Sequence, residues 1–133
     1  MTPAEALQAW LALEHEAVWL YPVVGARIDG LRGRATASFE AHRDVRDDLV
    51  VRLRELGAEP GSAALGYRAG SLATAEEANG AARSLEARIC AAEVALAGVA
   101  EGELRKLAVT ALHTSALAEQ TWGATPKAFP GLP

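Results

Sequence analysis

Residues 11–21 read LALEHEAVWLY, and the position of one carboxylate in that string decides how the rest of the chain is read. Leu7, Leu11, Glu14, Val18 and Tyr21 recur at steps of four and three, so they project from one side of a helix and set Glu14 among apolar residues. A carboxylate on a buried face must meet a charge, a metal or hydrogen-bond donors, because desolvation otherwise costs several kcal/mol or drives it to its neutral form. Other helices must therefore supply groups that answer Glu14, or the residue marks a site.

The limits of this helix are written in its capping residues. Thr2 can accept from backbone amides, Pro3 suits the first helical position and Glu5 completes a capping box, which predicts a helix from residue 3 to about residue 29. Pro22 removes the amide that would bond the carbonyl of Val18 and bends the helix beyond Glu14. That bend either wraps the helix around a core or offers the freed carbonyl to a metal or substrate. Asp29 and Gly30 make a short turn, and a second helix over 31–56 stops at Gly57. Along its seam Phe39, His42, Arg46, Leu49, Leu53 and Leu56 keep the helical spacing, so polar groups interrupt the apolar stripe in its first half. His42 is the natural partner for Glu14, either as a structural hydrogen-bonding group or as a ligand. The cluster Arg43, Asp44, Arg46, Asp47 and Asp48 reads as a solvated, salt-bridged face.

Ala58 to Ala73 carries glycines and a proline without helical periodicity, which predicts a long loop. Extended at about 3.3 Å per residue it reaches roughly 50 Å, whereas a helix of about 25 residues is roughly 37 Å long, so it can cross the full length of a bundle. Thr74 and Glu77 form a second capping box for a helix over 75–99, with Ala78, Ala82, Leu85, Ile89, Ala92, Leu96 and Val99 on one face and Glu86 at its border. A fourth helix over 103–122 turns Leu104, Leu107, Ala108, Ala111, Leu112, Ser115, Ala118 and Trp122 inward and leaves His113 outside. The tail over 123–133 is too rich in proline to be helical, and Phe129 and Leu132 are expected to pin it in extended form.

At 133 residues and 50% hydrophobic, the chain is expected to form one domain over 1–133, large enough for a core without disulfides. Abundant alanine and only 5% aromatic residues favour an all-α protein. The net charge of −4 with interspersed basic residues offers no stripe for a phosphate backbone, which argues against nucleic-acid binding. Cys90 stands alone among apolar helix residues and reads as a small buried hydrophobe. No basic segment followed by an apolar core opens the sequence, and no run of about 18 uncharged apolar residues crosses it, so a soluble, cytoplasmic protein without membrane contact is expected.

Two short turns flanking one long crossover define antiparallel hairpins 1–2 and 3–4, the ferritin-like four-helix arrangement. The strings AEALQAWLALEHEAVWLYPVVGARIDG, AHRDVRDDL, SLEARI and the closing FPGLP resemble, in order and spacing, the actinobacterial ferritin-like domain family of unknown function. That resemblance covers nearly the whole chain and implies a four-helix bundle with no established activity. Ferritin-like di-iron proteins place a Glu on each of two helices and a Glu-x-x-His on each of the other two. Glu14 and Glu86 match the lone glutamates. Glu40 is followed by Arg43 where the histidine belongs, with His42 about 100° out of phase, and His113 is preceded by Thr110 where a glutamate belongs. A guanidinium at Arg43 would take over part of a metal's charge by pairing with Glu14, Glu40 or Glu86.

Three functions fit this sequence. The favoured reading is a non-catalytic bundle in which Glu14, His42, Glu86, Arg43 and Glu40 form an internal polar network, no cofactor is held, and the role is binding a protein or an unidentified small molecule. A second is a metal-dependent oxidase, oxygenase or metal-binding protein holding iron or manganese through Glu14, His42, Glu86 and Glu93. A third is a bundle whose bend at Pro22 opens an apolar pocket lined by Trp10, Tyr21 or Trp122. Residues 17–26 lack any charge, and one core stripe cannot cover Trp19, Leu20 and Val23 together, which predicts either a homodimer through helix one or a covering by the tail.

Overall fold

Each long helix begins and ends where local chemistry permits. In the computed structural model, which describes residues 1–133, the Thr2 hydroxyl accepts from the Glu5 amide and the Glu5 carboxylate accepts from the Thr2 amide, opening helix α1 at Pro3–Arg27. Thr74 and Glu77 repeat the device at α3, Ala75–Val99. Helix α2 spans Arg32–Glu55 and α4 spans Gly102–Thr121, with no strand anywhere in the chain. Gly57 (φ 75°) closes α2 and Gly123 (φ 100°) closes α4. In both turns the glycine amide and the amide after it bond back to carbonyls of the last turn, an arrangement whose left-handed residue suits glycine. Helix α1 stops short of the predicted residue 29 because Ile28 turns extended and Asp29–Leu31 forms a single 3-10 turn leading into α2.

The chain path follows from the contacts. Glu14 meets His42 and Gly25 meets Ala35, so α1 and α2 are antiparallel. The segment after Gly57 then runs back along α1. The Gln8 side chain grips the Glu59 carbonyl and the Gly61 amide, the His15 Nε2 meets the Gly61 carbonyl, Tyr67 packs 5.8 Å from Trp19, and Leu72 is buried. Helix α3 returns antiparallel to α1, with Tyr21 bonded to Glu86 and Glu16 held by both amino groups of Arg88 at 2.9 Å. Helix α4 closes a second antiparallel hairpin on α3 through Ser115–Glu93 and Arg83–Trp122. No helix is long and apolar enough to cross a membrane.

The core comprises Leu7, Trp10, Leu11, Tyr21, Leu49, Leu53, Leu85, Ile89, Leu96 and Trp122 with a set of small alanines. Each large side chain fully buried there contributes roughly 1.5–3 kcal/mol, which offsets the cost of the four glutamates that share the interior.

Three expectations are corrected. Leu56 is not a core residue: it caps α2 and is 51% exposed. Phe129 and Leu132 do not pin the tail, since they are 72% and 52% exposed. The tail is seated instead by Gly131 (φ 79°), whose backbone lies so close to α3 that a Cβ there would fall 2.5 Å from the Cys90 carbonyl oxygen. It therefore lies on α3 and not on α1. The crossover is what covers α1: Leu20 is buried within the chain itself, and Trp19 and Val23 are half-buried beside Tyr67, Ala69 and Leu72.

Candidate functional site: a carboxylate–imidazole network

Glu14 is 1% exposed, and groups from its own helix and from α2 answer it. One turn earlier on α1, Trp10 donates its indole N–H to Glu14 Oε1 at 2.9 Å. From α2, His42 places Nδ1 2.6 Å from Glu14 Oε2 and Nε2 2.7 Å from Glu86 Oε1 on α3. The Tyr21 hydroxyl donates to the same Glu86 oxygen at 2.5 Å. The imidazole thus bridges two buried carboxylates, with its plane stacked on the Tyr21 ring at 5.4 Å and Tyr21 stacked in turn on Trp122 at 5.4 Å.

Burial by itself would lower the His42 pKa, but the hydrogen bonds to Glu14 and Glu86 and the charges behind them outweigh it and push the value up to about 10. At neutral pH the ring is an imidazolium, and both of its N–H groups donate. Burial, and then the Glu86 charge, hold the Tyr21 phenol well above its ordinary value, so it remains a donor. Glu93, two turns along α3 from Glu86, is pushed up to about 8 by burial and by the charges of Glu14 and Glu86, against a lowering hydrogen bond from Ser115 Oγ at 2.8 Å. It keeps its proton at neutral pH. Glu86 Oε2 and Glu93 Oε2 are buried without a hydrogen-bond partner.

A second polar cluster lies where α3, α4 and the tail converge. Glu119, 6% exposed, is paired with Lys127 Nζ at 3.0 Å, and the Cys90 sulfur lies 4.0 Å from its other oxygen. Burial first, then the neighbouring glutamates, push the Cys90 thiol up to about 12, so it is a small core group and no nucleophile at neutral pH.

Of the residues singled out in the sequence, Glu14, His42 and Glu86 are brought together, with Glu86 fully inside and not at the border of its face. Arg43 and Glu40 are not. Once His42 points inward, the next residue is rotated by about 100°, which carries Arg43 and its helical neighbour Glu40 to the outer face. Arg43 lies 5.5 Å over the Phe39 ring and pairs with none of the buried glutamates. His113 is exposed, as its place off the α4 stripe requires.

The donors were less legible. Trp10 sits four residues before Glu14 on the same face, so its indole could have been matched to that carboxylate from spacing alone. Glu119 follows Ser115 by the same step on the inner stripe of α4. Tyr21–Glu86 and Lys127–Glu119 depend on which helix or tail faces which, and no local pattern carries that.

The geometry does not fit a metal centre of the expected kind. The two nitrogens of an imidazole diverge, and each is committed to a different carboxylate, so a single ion cannot take His42 together with both glutamates. No group of three or more His, Cys, Asp or Glu side chains is arranged to hold an ion. The opening nearest the network is a groove of about 350 Å³ between α1 and α2, bordered by Tyr21, Pro22, Ala26, Arg32, Ala35 and Phe39. Trp10 and Trp122, expected among its walls, are each 1% exposed in the core instead.

Over residues 6–133 the chain matches a family described as a domain of unknown function (DUF4439). The crystal structure of a conserved hypothetical protein, rv2844, from Mycobacterium tuberculosis is similar to it at 31% sequence identity with a TM-score of 0.85, over 94% of this chain and 93% of that one. No curated protein matches the chain.

Proposed function

We infer, for a chain that belongs to the family defined by the domain of unknown function DUF4439, a non-catalytic binding protein on a ferritin-like four-helix bundle. The observation that carries this reading is the commitment of both His42 nitrogens to carboxylates. In a metalloenzyme the imidazole lone pair is the ligand; here a protonated ring occupies the position between Glu14 and Glu86 and neutralises one of their charges. Glu14, His42 and Glu86 then work as a brace that ties three helices, and Trp10 and Tyr21 orient its ends. Catalysis would need a free base, a nucleophile or an open coordination position at this network; both His42 nitrogens and both Glu14 oxygens are bonded, and the unpartnered oxygens of Glu86 and Glu93 are buried, the latter on a carboxyl that keeps its proton. The groove at Pro22, walled by Tyr21 of the network, is the opening beside it that a ligand could use.

The ring of His42 reports on this directly. In the purified protein near neutral pH, its two nitrogen resonances should both carry a proton, and addition of iron(II) or manganese(II) should leave them in place. Two equivalents of either metal retained per chain, lost on Glu14→Ala, would overturn the reading in favour of a metal-dependent oxidase or oxygenase.

A further inference from the structure

The groove between α1 and α2 has an apolar floor and an arginine, Arg32, at one end. Residues 22, 25 and 26 lie on one stripe of α1, and residues 32, 35, 36 and 39 lie on one stripe of α2, running about 10 Å along that helix. The helices approach closely here because Gly25 has no side chain; a Cβ at that position would meet the Ala35 Cβ at 3.4 Å. Alanines at 26 and 35 keep the floor low, while Phe39 and Arg32 stand at either end. Pro22 and Ala26 are open to solvent and Tyr21 forms the inner wall.

The charge around this groove is opposite to that of the chain. The whole protein carries a net −4, yet the one charged residue that borders the groove is Arg32; Arg27 lies instead beside Tyr67 and Leu72, and Arg34 over the Trp122 ring at 5.4 Å. The first turn of α2 contains no acidic residue. Asp29 takes only one amino group of Arg32, at 2.8 Å, and the Gly25 carbonyl takes its Nε at a long 3.4 Å. The other amino group keeps its donors for something outside the chain. At the far end the Arg43 guanidinium lies over Phe39, so a cation flanks the groove there as well.

We propose that this groove binds a small amphipathic carboxylate, its apolar body on Pro22, Ala26, Ala35 and Phe39 and its carboxylate on Arg32. The inference rests on the binding-protein reading and gives it a ligand class. At about 350 Å³ the space is at the small end of ligand sites, which run from about 300 to 1,000 Å³, and it suits a medium-length alkyl chain. A cationic amphiphile would meet like charge at Arg32 and Arg43, and a neutral one would leave the open donors of Arg32 unanswered.

Calorimetric titration of the full chain with decanoate, decanol and decyltrimethylammonium, each below its micellar range, tests the proposal. Decanoate should bind with one molecule per chain, and Trp122 emission should change with occupancy because its ring stacks on the groove wall Tyr21. Arg32→Gln should weaken decanoate about tenfold or more while leaving decanol unchanged, in keeping with loss of a charge-assisted hydrogen bond. Ala26→Trp, at an exposed position, should fill the floor and abolish binding with the helical circular dichroism intact. Decanol binding as tightly as decanoate, indifference to either substitution, or no decanoate binding up to the order of 1 mM would overturn the proposal. Failure here with His42 still doubly protonated leaves the non-metal reading standing, whereas metal displacement of the His42 bonds defeats that reading on its own.

Discussion

Raising the pH should unfold this protein, and the reason lies at His42. Its pKa is about 10 in the fold against an ordinary 6.5. A group raised on folding contributes stability that is complete below its unfolded value and disappears as the pH climbs through its folded value. The slope for one such proton is at most about 1.4 kcal/mol per pH unit, and the whole interval corresponds to a ceiling on the order of 5 kcal/mol. Glu93 acts in the same direction, because its pKa of about 8 lies above the ordinary 4.5: its share is complete below the unfolded value and is lost as the pH rises to about 8. Both groups therefore steepen the loss between about pH 6.5 and 8, and His42 alone carries it from about pH 8 to 9. Tyr21 and Cys90, whose raised values lie higher still, add to the decline only beyond that range. Urea unfolding followed by circular dichroism at several pH values reads the effect as a falling free energy. Replacing His42 with Ala should flatten the segment above pH 8 and, by leaving two buried carboxylates without their cation, destabilise the protein by about 3–5 kcal/mol near neutral pH. Stability that stays level or rises between about pH 7 and 9 would refute the imidazolium bridge.

Further expectations can be checked with the same melts and a light-scattering detector. His113→Ala on the outer face of α4 should change stability by less than about 0.5 kcal/mol, and an effect equal to that of His42→Ala would mean the inner stripes are misassigned. Gly131→Ala should lift the tail from α3 and cost about 1–3 kcal/mol, because φ is positive there and the Cβ would strike the Cys90 carbonyl. Gly30→Ala, which meets nothing within 4 Å, is its control and should be near neutral. For self-association through α1, Leu20 drops out because it is buried within the chain, which leaves Trp19 and Val23. A mass near twice 13.9 kDa that falls to the single-chain value in Trp19→Glu is the expected signature, and a single-chain mass at micromolar concentration refutes it.

Helix starts, the two hairpins and the long crossover were readable because each rests on local chemistry: a capping box at Thr2 and another at Thr74, glycines at 57 and 123, and apolar spacing between them. Glu14 and His42 were legible as polar interruptions of apolar seams. Arg43 occupies the histidine position of a metal-binding spacing, yet its phase relative to His42 puts it outside. The path of the crossover along α1 was not legible. Gln8 and His15 hold it through backbone groups of Glu59 and Gly61, and a backbone carbonyl looks the same in every residue. The seat of the tail is hidden for a related reason: a glycine with no side chain does the packing, while the apolar Phe129 and Leu132 stay exposed.

The bonds of the network are far apart along the chain. Glu14 and His42 are separated by 28 residues, His42 and Glu86 by 44, and Tyr21 and Glu86 by 65. The first of these closes within the α1–α2 hairpin, and the other two exist only once the α3–α4 hairpin has docked. The docking of α3–α4 on α1–α2 is therefore also what strips water from Glu86. Glu86→Gln, which lowers the charge to be dehydrated while keeping a hydrogen-bonding oxygen, should then speed refolding even as it weakens the finished protein, separating refolding rate from equilibrium stability.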